Sequence, residues 1–201
     1  MDRANTLRTL TLYRLSLTTL HTPLSRLLCF ENLRELTPWN CPGTHVLLAD
    51  LVLSPDCLQL KIRHLALDIM YDAQPHIDGP LGSVLDLCEE LESLCLQWNG
   101  AGSYWPRVIE SNMKKLGTKL TSLSLDNGMY SEGNEQEPSE DVITKICESC
   151  PDLERLGYRM TEEEIHNVIF RFHVKQHHVF VSQSSTVHPN WVQSKHTSSC
   201  G

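Results

Sequence analysis

Aromatic residues are scarce in this chain, at 6% of 201 residues, so a core has to be built mainly from aliphatic side chains. Basic residues are also in deficit. Lys and Arg number 17 against 25 Asp and Glu, for a formal net charge of −8. That balance disfavours nucleic-acid binding as the main task, because phosphate contacts need a surplus of Lys and Arg. No apolar run approaches the length of a membrane span. The opening stretch MDRANTLRTLTL has no apolar centre of signal-peptide type. The compartment expected on that basis is the cytosol or nucleus, where thiols stay reduced. Also missing are G-x-x-x-x-G-K-[ST], G-x-G-x-x-G and G-x-S-x-G, so no nucleotide-binding or hydrolase signature argues for an enzyme.

What the chain does have is a recurrence. The pattern Leu-x-x-Leu-x-Leu, or a near variant, returns six times: Leu7/Leu10/Leu12, Leu33/Leu36/Pro38, Ile62/Leu65/Leu67, Leu91/Leu94/Leu96, Leu120/Leu123/Leu125 and Leu153/Leu156/Tyr158. The first positions are 26, 29, 29, 29 and 33 residues apart. A near-constant period of this size marks a stacked architecture, in which one unit cannot cover its own apolar face. Such stacks present extended surfaces, which turns the functional question from a cleft to a binding face.

Each unit offers the same parts in the same order. Alternation of apolar and variable residues gives a half-buried strand. A polar stretch follows, at residues 72–80, 99–103 and 126–140, rich in Gly, Asp, Asn, Ser or Pro. Helical spacing comes next, in Val108, Ile109, Met113 and Leu116, with Gly117 placed to end the helix. Val142, Ile143, Ile146, Cys147 and Cys150 repeat that spacing, with Ser139 as N-cap and Pro151 as terminator. Residues 81–90 read as a shorter, weaker helix. Strand, loop and helix in repetition imply an α/β fold with parallel strands on one side and helices on the other.

Cys-x-x-Leu-x-x-Leu-x-Leu after an amphipathic helix resembles the leucine-rich repeat, in its ribonuclease-inhibitor-like or cysteine-containing subclass. The segment ITKICESCPDLERLGY, residues 143–158, is the closest match. The order helix, Cys-Pro, Leu-x-x-Leu is similar to the repeats of F-box proteins. The resemblance covers roughly residues 5–160. It implies a horseshoe-shaped solenoid of about six degenerate repeats, with strands on the concave face and helices on the convex face. It also implies a protein-interaction scaffold like the substrate-recognition part of an F-box-type ubiquitin ligase subunit. The chain departs from the family in several respects: Pro38 is expected to interrupt the second strand, the usual Asn or Cys after the last Leu is irregular, the loops vary in length, and no F-box is recognisable in it. The first repeat starts within ten residues of Met1, leaving no room for a cap, so a fragment or part of a larger product is expected.

Two domains are expected: the repeats at 1–160 and a His-rich, partly disordered tail at 161–201. The tail holds six of the ten His. Within it Phe170, Phe172 and Val174, then Val179, Phe180 and Val181, suit a closing strand or hairpin. Beyond Ser182 the apolar content is too low to offset ordering entropy.

Most candidate chemistry has a structural explanation. Cys88 and Cys150 occupy a slot filled elsewhere by Phe30 and Gly117, as packing positions do, and free Cys behaves there as a small hydrophobe. Cys147-x-x-Cys150 falls at a helix end, where the dipole has the wrong sign to activate a thiol. His173, His177 and His178 lack the Glu of an H-E-x-x-H site, although a weak metal-binding activity of the tail is an alternative. The acidic loop containing Glu132, Glu135 and Glu137 suits solvent or a basic partner. No catalytic, cofactor-binding or metal-ligating residue is assigned, and no cofactor is expected.

The other candidates are variable strand positions, which alternate to the face opposite the Leu residues. The partner-binding set is Tyr13, Glu35, Trp39, His64, Asp68, Gln97, Trp98, Asp126, Arg155 and Arg159. Aromatic anchors and Arg commonly carry interface energy. The expected partner is a protein, with ubiquitin-ligase components included if an F-box lies upstream. Nucleic acid and membrane are not expected. The alternative is a repeat-type regulator or inhibitor acting on a GTPase or another enzyme.

Overall fold

The computed structural model describes residues 7–19, 22, 24–54, 60–70, 74–99, 107–127, 145–146, 148–158 and 178–181. Seven strands form one sheet in chain order: β1 (Thr9–Tyr13), β2 (Glu35–Trp39), β3 (His64–Met70), β4 (Ser93–Asn99), β5 (Ser122–Asn127), β6 (Arg155–Tyr158) and β7 (His178–Val181). Every neighbouring pair is parallel. Parallel neighbours need crossover connections. Among the described residues, helices α1 (Leu24–Leu27), α2 (Thr44–Leu53), α3 (Gln74–Leu87) and α4 (Arg107–Leu116) lie in the first four crossovers, and residues 145–146 and 148–149 of the fifth are helical. The helices pack on one another in sequence order.

The recurring Leu residues set the register. Leu10, Leu36, Leu65, Leu94, Leu123 and Leu156 align across six strands, and Val179 of β7 continues the row. A one-residue slip would turn this whole row to the other face, so its burial locks the pairing. Leu36, Leu65, Leu94, Leu123 and Leu156 are all buried, in one cluster with Leu48 and Leu51 of α2, Leu81 and Val84 of α3, and Met113 and Leu116 of α4. A second relay precedes each strand. The carbonyl of Arg8 accepts from the N–H groups of Arg34 and Glu35, and the carbonyls of Arg34, Arg63, Glu92 and Thr121 do the same for the next strand in turn.

The slot before each strand is a packing position. Phe30, Cys88 and Cys150 are buried, as is Gly117. Burial pushes the Cys88 thiol up to about 12, against a smaller lowering by Lys115. Cys29, Cys41, Cys88, Cys95 and Cys150 are unbridged thiols. Cys147 lies outside the described residues.

Two features differ from what the sequence predicts. The stretch 72–80, expected as a loop, contains the start of α3, which runs from Gln74 and includes Pro80. Ile77, Leu81, Val84 and Leu85 supply the reason: all four are fully buried at helical spacing, and that stripe outweighs Gly79 and Pro80. Pro38 does not interrupt β2. It lies inside the strand, buried and paired with Leu12. Its effect falls on the pairing with β3 instead. The closing strand expected at Val179, Phe180 and Val181 is present: residues 178–181 join the sheet as β7 beside β6. The rest of the tail, including His173 and His177, lies outside the described residues. No helix among the described residues is long and apolar enough to cross a membrane.

Candidate functional site

The side of the sheet opposite the Leu row is built from three columns running across the strands. The first column is Thr9, Glu35, His64, Ser93, Ser122 and Arg155, in continuous register with His178 of β7. Glu35 and His64 are half-buried, and Arg155 is exposed. The third column pairs Tyr13 with Trp39, and separately aligns Asp68, Gln97 and Asp126. Tyr13 is 60% exposed, with the Arg14 guanidinium 5.1 Å from its ring centroid, a cation–π distance. Trp39, Gln97 and Asp126 are half-buried.

The middle column is absent from the expected set. It runs Thr11 beside Thr37, then Ala66, Cys95, Ser124 and Gly157. Every one of these residues is small, so the middle of the face is a low floor, bordered by larger side chains at Glu35, His64 and Arg155 on one side and at Tyr13, Trp39, Gln97 and Asp126 on the other, while Ser93 and Ser122 are as small as the floor beside them. The approach is tight at its far end, where a Cβ on Gly157 would lie 2.9 Å from Ser124 Oγ. The signal lies in the sequence: the residue between the last two apolar positions is small in all six copies, ending in Gly157. Cys95 sits in this trough with its thiol pushed up by burial, and Asp126 and Asp68 push in the same direction against a hydrogen bond from Ser124. Burial, the largest of these effects, keeps the thiol protonated.

Asp68 departs from expectation. Its parity points outward, yet it is only 3% exposed. The cause is Pro38. Alternation along the parallel ladder aims the Pro38 nitrogen at β3, and that nitrogen has no hydrogen to give. The β2–β3 ladder accordingly comprises only Glu35↔His64 and Leu36↔Leu65, while β3–β4 pairs along all of His64–Met70. Where the ladder stops, the Asp68 carboxylate accepts the Asn40 backbone N–H at 2.9 Å. Asn40 has a positive φ of 53° there, a region Asn tolerates better than most residues. Asp68 is thus a structural patch beneath the face rather than a contact offered to a partner.

Trp98 of β4 is paired in register with Ile69 of β3. Arg159 lies outside the described residues. Of the expected set, Tyr13, Glu35, Trp39, His64, Gln97, Asp126 and Arg155 share the outward face. Among the described residues, no group of three or more His, Cys, Asp and Glu is placed to hold a metal.

No protein-family model, curated protein or solved structure matches this chain.

Proposed function

We propose that the chain is a leucine-rich-repeat solenoid and that its outward sheet face holds a protein partner without catalysis. The single observation that carries this reading is the trough: a column of small side chains, aligned from Ala66 through Cys95 and Ser124 to Gly157 and bordered by charged, aromatic and amide groups on parallel strands. An extended segment can approach such a floor closely, and flanking Tyr, Trp and Arg are the residue types that dominate interface energetics. Helices occupy more width than strands, so stacking would curve the sheet face into a concave wall. The reading extends to an intracellular scaffold, cytoplasmic or nuclear, that selects a target as the repeats of F-box proteins do.

Affinity capture with the intact chain tests it. Ser124→Arg would fill the trough from a half-buried surface position, and Trp39→Ala would remove an aromatic wall. Proteins captured by the wild type and lost with both variants, at unchanged thermal stability, support the face. Capture unaffected by both would sink it. Recovery of a small GTPase or a hydrolase in place of ubiquitin-ligase components would move the assignment to the regulator class.

A further inference from the structure

The residue directly before the first column forms a row of its own. Read across the units it is Arg8, Arg34, Arg63, Glu92, Thr121 and Glu154. The main-chain relay makes the first four neighbours: the Arg8 carbonyl accepts from Arg34 N–H, that of Arg34 from Arg63 N–H, and that of Arg63 from Glu92 N–H. Three guanidinium groups therefore rise from successive rungs at one rim of the sheet, with backbones about 4.8 Å apart. Arg34 Nη1 also donates to the Lys61 carbonyl at 2.9 Å, which sets the main chain of a fourth basic residue against the row.

Only part of this charge is matched. Arg63 pairs with Glu90 at 3.2 Å and with Glu92 at 3.4 Å. Among the described residues, no carboxylate lies within ion-pair distance of Arg8, Arg34 or Lys61, and neither Glu31 nor Glu35, the acidic residues nearest Arg34 in sequence, is in such a pair. Arg8 is exposed, and Arg34 and Lys61 are half-buried. Like charges on adjacent rungs repel each other, so this end of the rim is better settled with an anion against it. A chain of net charge −8 thus gathers unpaired positive charge at one place.

We propose that this rim, at Arg8, Arg34 and Lys61, binds a short acidic segment of a protein partner. Arg presents a planar fork that takes a carboxylate through two N–H groups. The three Arg rungs span about 10 Å, which an extended run of about three or four residues covers at roughly 3.3 Å each. A long polyanion such as nucleic acid fits poorly, because the row turns acidic at Glu92 and the chain as a whole is negative. The rim lies beside the first column and does not use the trough, so the proposal does not depend on the proposed function.

Fluorescence anisotropy of labelled hexaglutamate with the full chain is the test, at about 20 mM and about 300 mM salt. The wild type is expected to bind the peptide at low salt and to lose most of that binding at high salt, as opposite exposed charges do. Arg34→Glu reverses the central charge and is expected to weaken binding about tenfold or more. Arg8→Gln and Lys61→Gln are expected to weaken it about threefold each, and they guard against a folding defect in Arg34→Glu, since neither side chain makes a hydrogen bond among the described residues. Lys114→Gln, which removes an exposed cation on α4, should leave binding unchanged. Absence of binding at low salt, equal binding by the wild type and the three rim variants, or an equal loss with Lys114→Gln would overturn the proposal. Tighter binding of a labelled DNA duplex than of the peptide would overturn it too, by assigning the rim to a different class of polyanion.

Discussion

The Asp68 carboxylate takes the Asn40 backbone N–H at 2.9 Å, across the gap that Pro38 leaves between β2 and β3. The acceptor is a side chain on β3 where an unbroken ladder would use a main-chain carbonyl. Removing it leaves the half-buried Asn40 donor without this acceptor. Asp68→Ala is expected to cost about 1–3 kcal/mol, the usual penalty for a buried polar group left unmet. Asp68→Asn keeps an acceptor oxygen and should recover part of that loss. Urea denaturation of the two variants checks the order, and a larger loss for Asn than for Ala would contradict the account.

Facing along the strands makes a second prediction. Leu94 and Leu123 are fully buried, while Ser93 and Ser124 on the opposite face are half-buried. Leu94→Ala or Leu123→Ala should cost roughly 2–5 kcal/mol through lost transfer energy and the cavity left behind. Ser93→Ala or Ser124→Ala should leave stability within about 0.5 kcal/mol of the wild type, as surface changes do. Equal losses from the two classes in chemical denaturation would contradict the assigned alternation.

How far the chain's sequence reveals the fold depends on how local each signal is. The Leu rows can be read directly, because a step near 29 residues brings like positions together once neighbours stack. The start of α3 cannot, because Gly79 and Pro80 are local breakers, while Ile77 and Leu81 argue for helix only through burial between neighbouring units of the stack. Asp68 defies its parity for a related reason. Its alternation is a property of β3, but its burial is set by a proline thirty residues earlier on another strand. The trough is legible, in the residue between the last two apolar positions of each copy, and needs only a comparison down the column.

Two glycines, one inside α3 and one just past α4, should respond very differently to substitution. A Cβ on Gly117 would collide with the Ser149 carbonyl oxygen and would lie 2.8 Å from that of Met113. Backbone on both sides cannot give way without moving the next unit of the stack, so Gly117→Ala should destabilise by about 1–3 kcal/mol, as overpacking does. Gly79 is exposed within α3, and apart from its chain neighbours and its own helix a methyl group placed there would meet nothing within 4 Å. The neighbour that matters is Pro80, whose Cδ crowds the Cβ of a helical residue before it, so the helix-propensity gain of Gly79→Ala is offset and stability should stay within about 0.5 kcal/mol of the wild type. Thermal melts should show a clear drop for Gly117→Ala and little change for Gly79→Ala.

Cys88 ties stability to alkaline pH. Its thiol moves from 9.0 to about 12 on folding, because burial disfavours the thiolate. Between those values the native state keeps a proton that the unfolded state has released, so native stability falls as pH rises. The contribution is intact below pH 9.0 and is lost progressively towards pH 12. Cys88→Ala lacks this proton and should show a shallower decline over the same window, although it starts from a lower stability because it leaves a small cavity. Guanidinium denaturation of both proteins at a series of pH values from neutral to alkaline separates the two effects. Parallel curves above pH 9.0 would mean that the Cys88 thiolate is formed as readily in the folded chain as in the unfolded one.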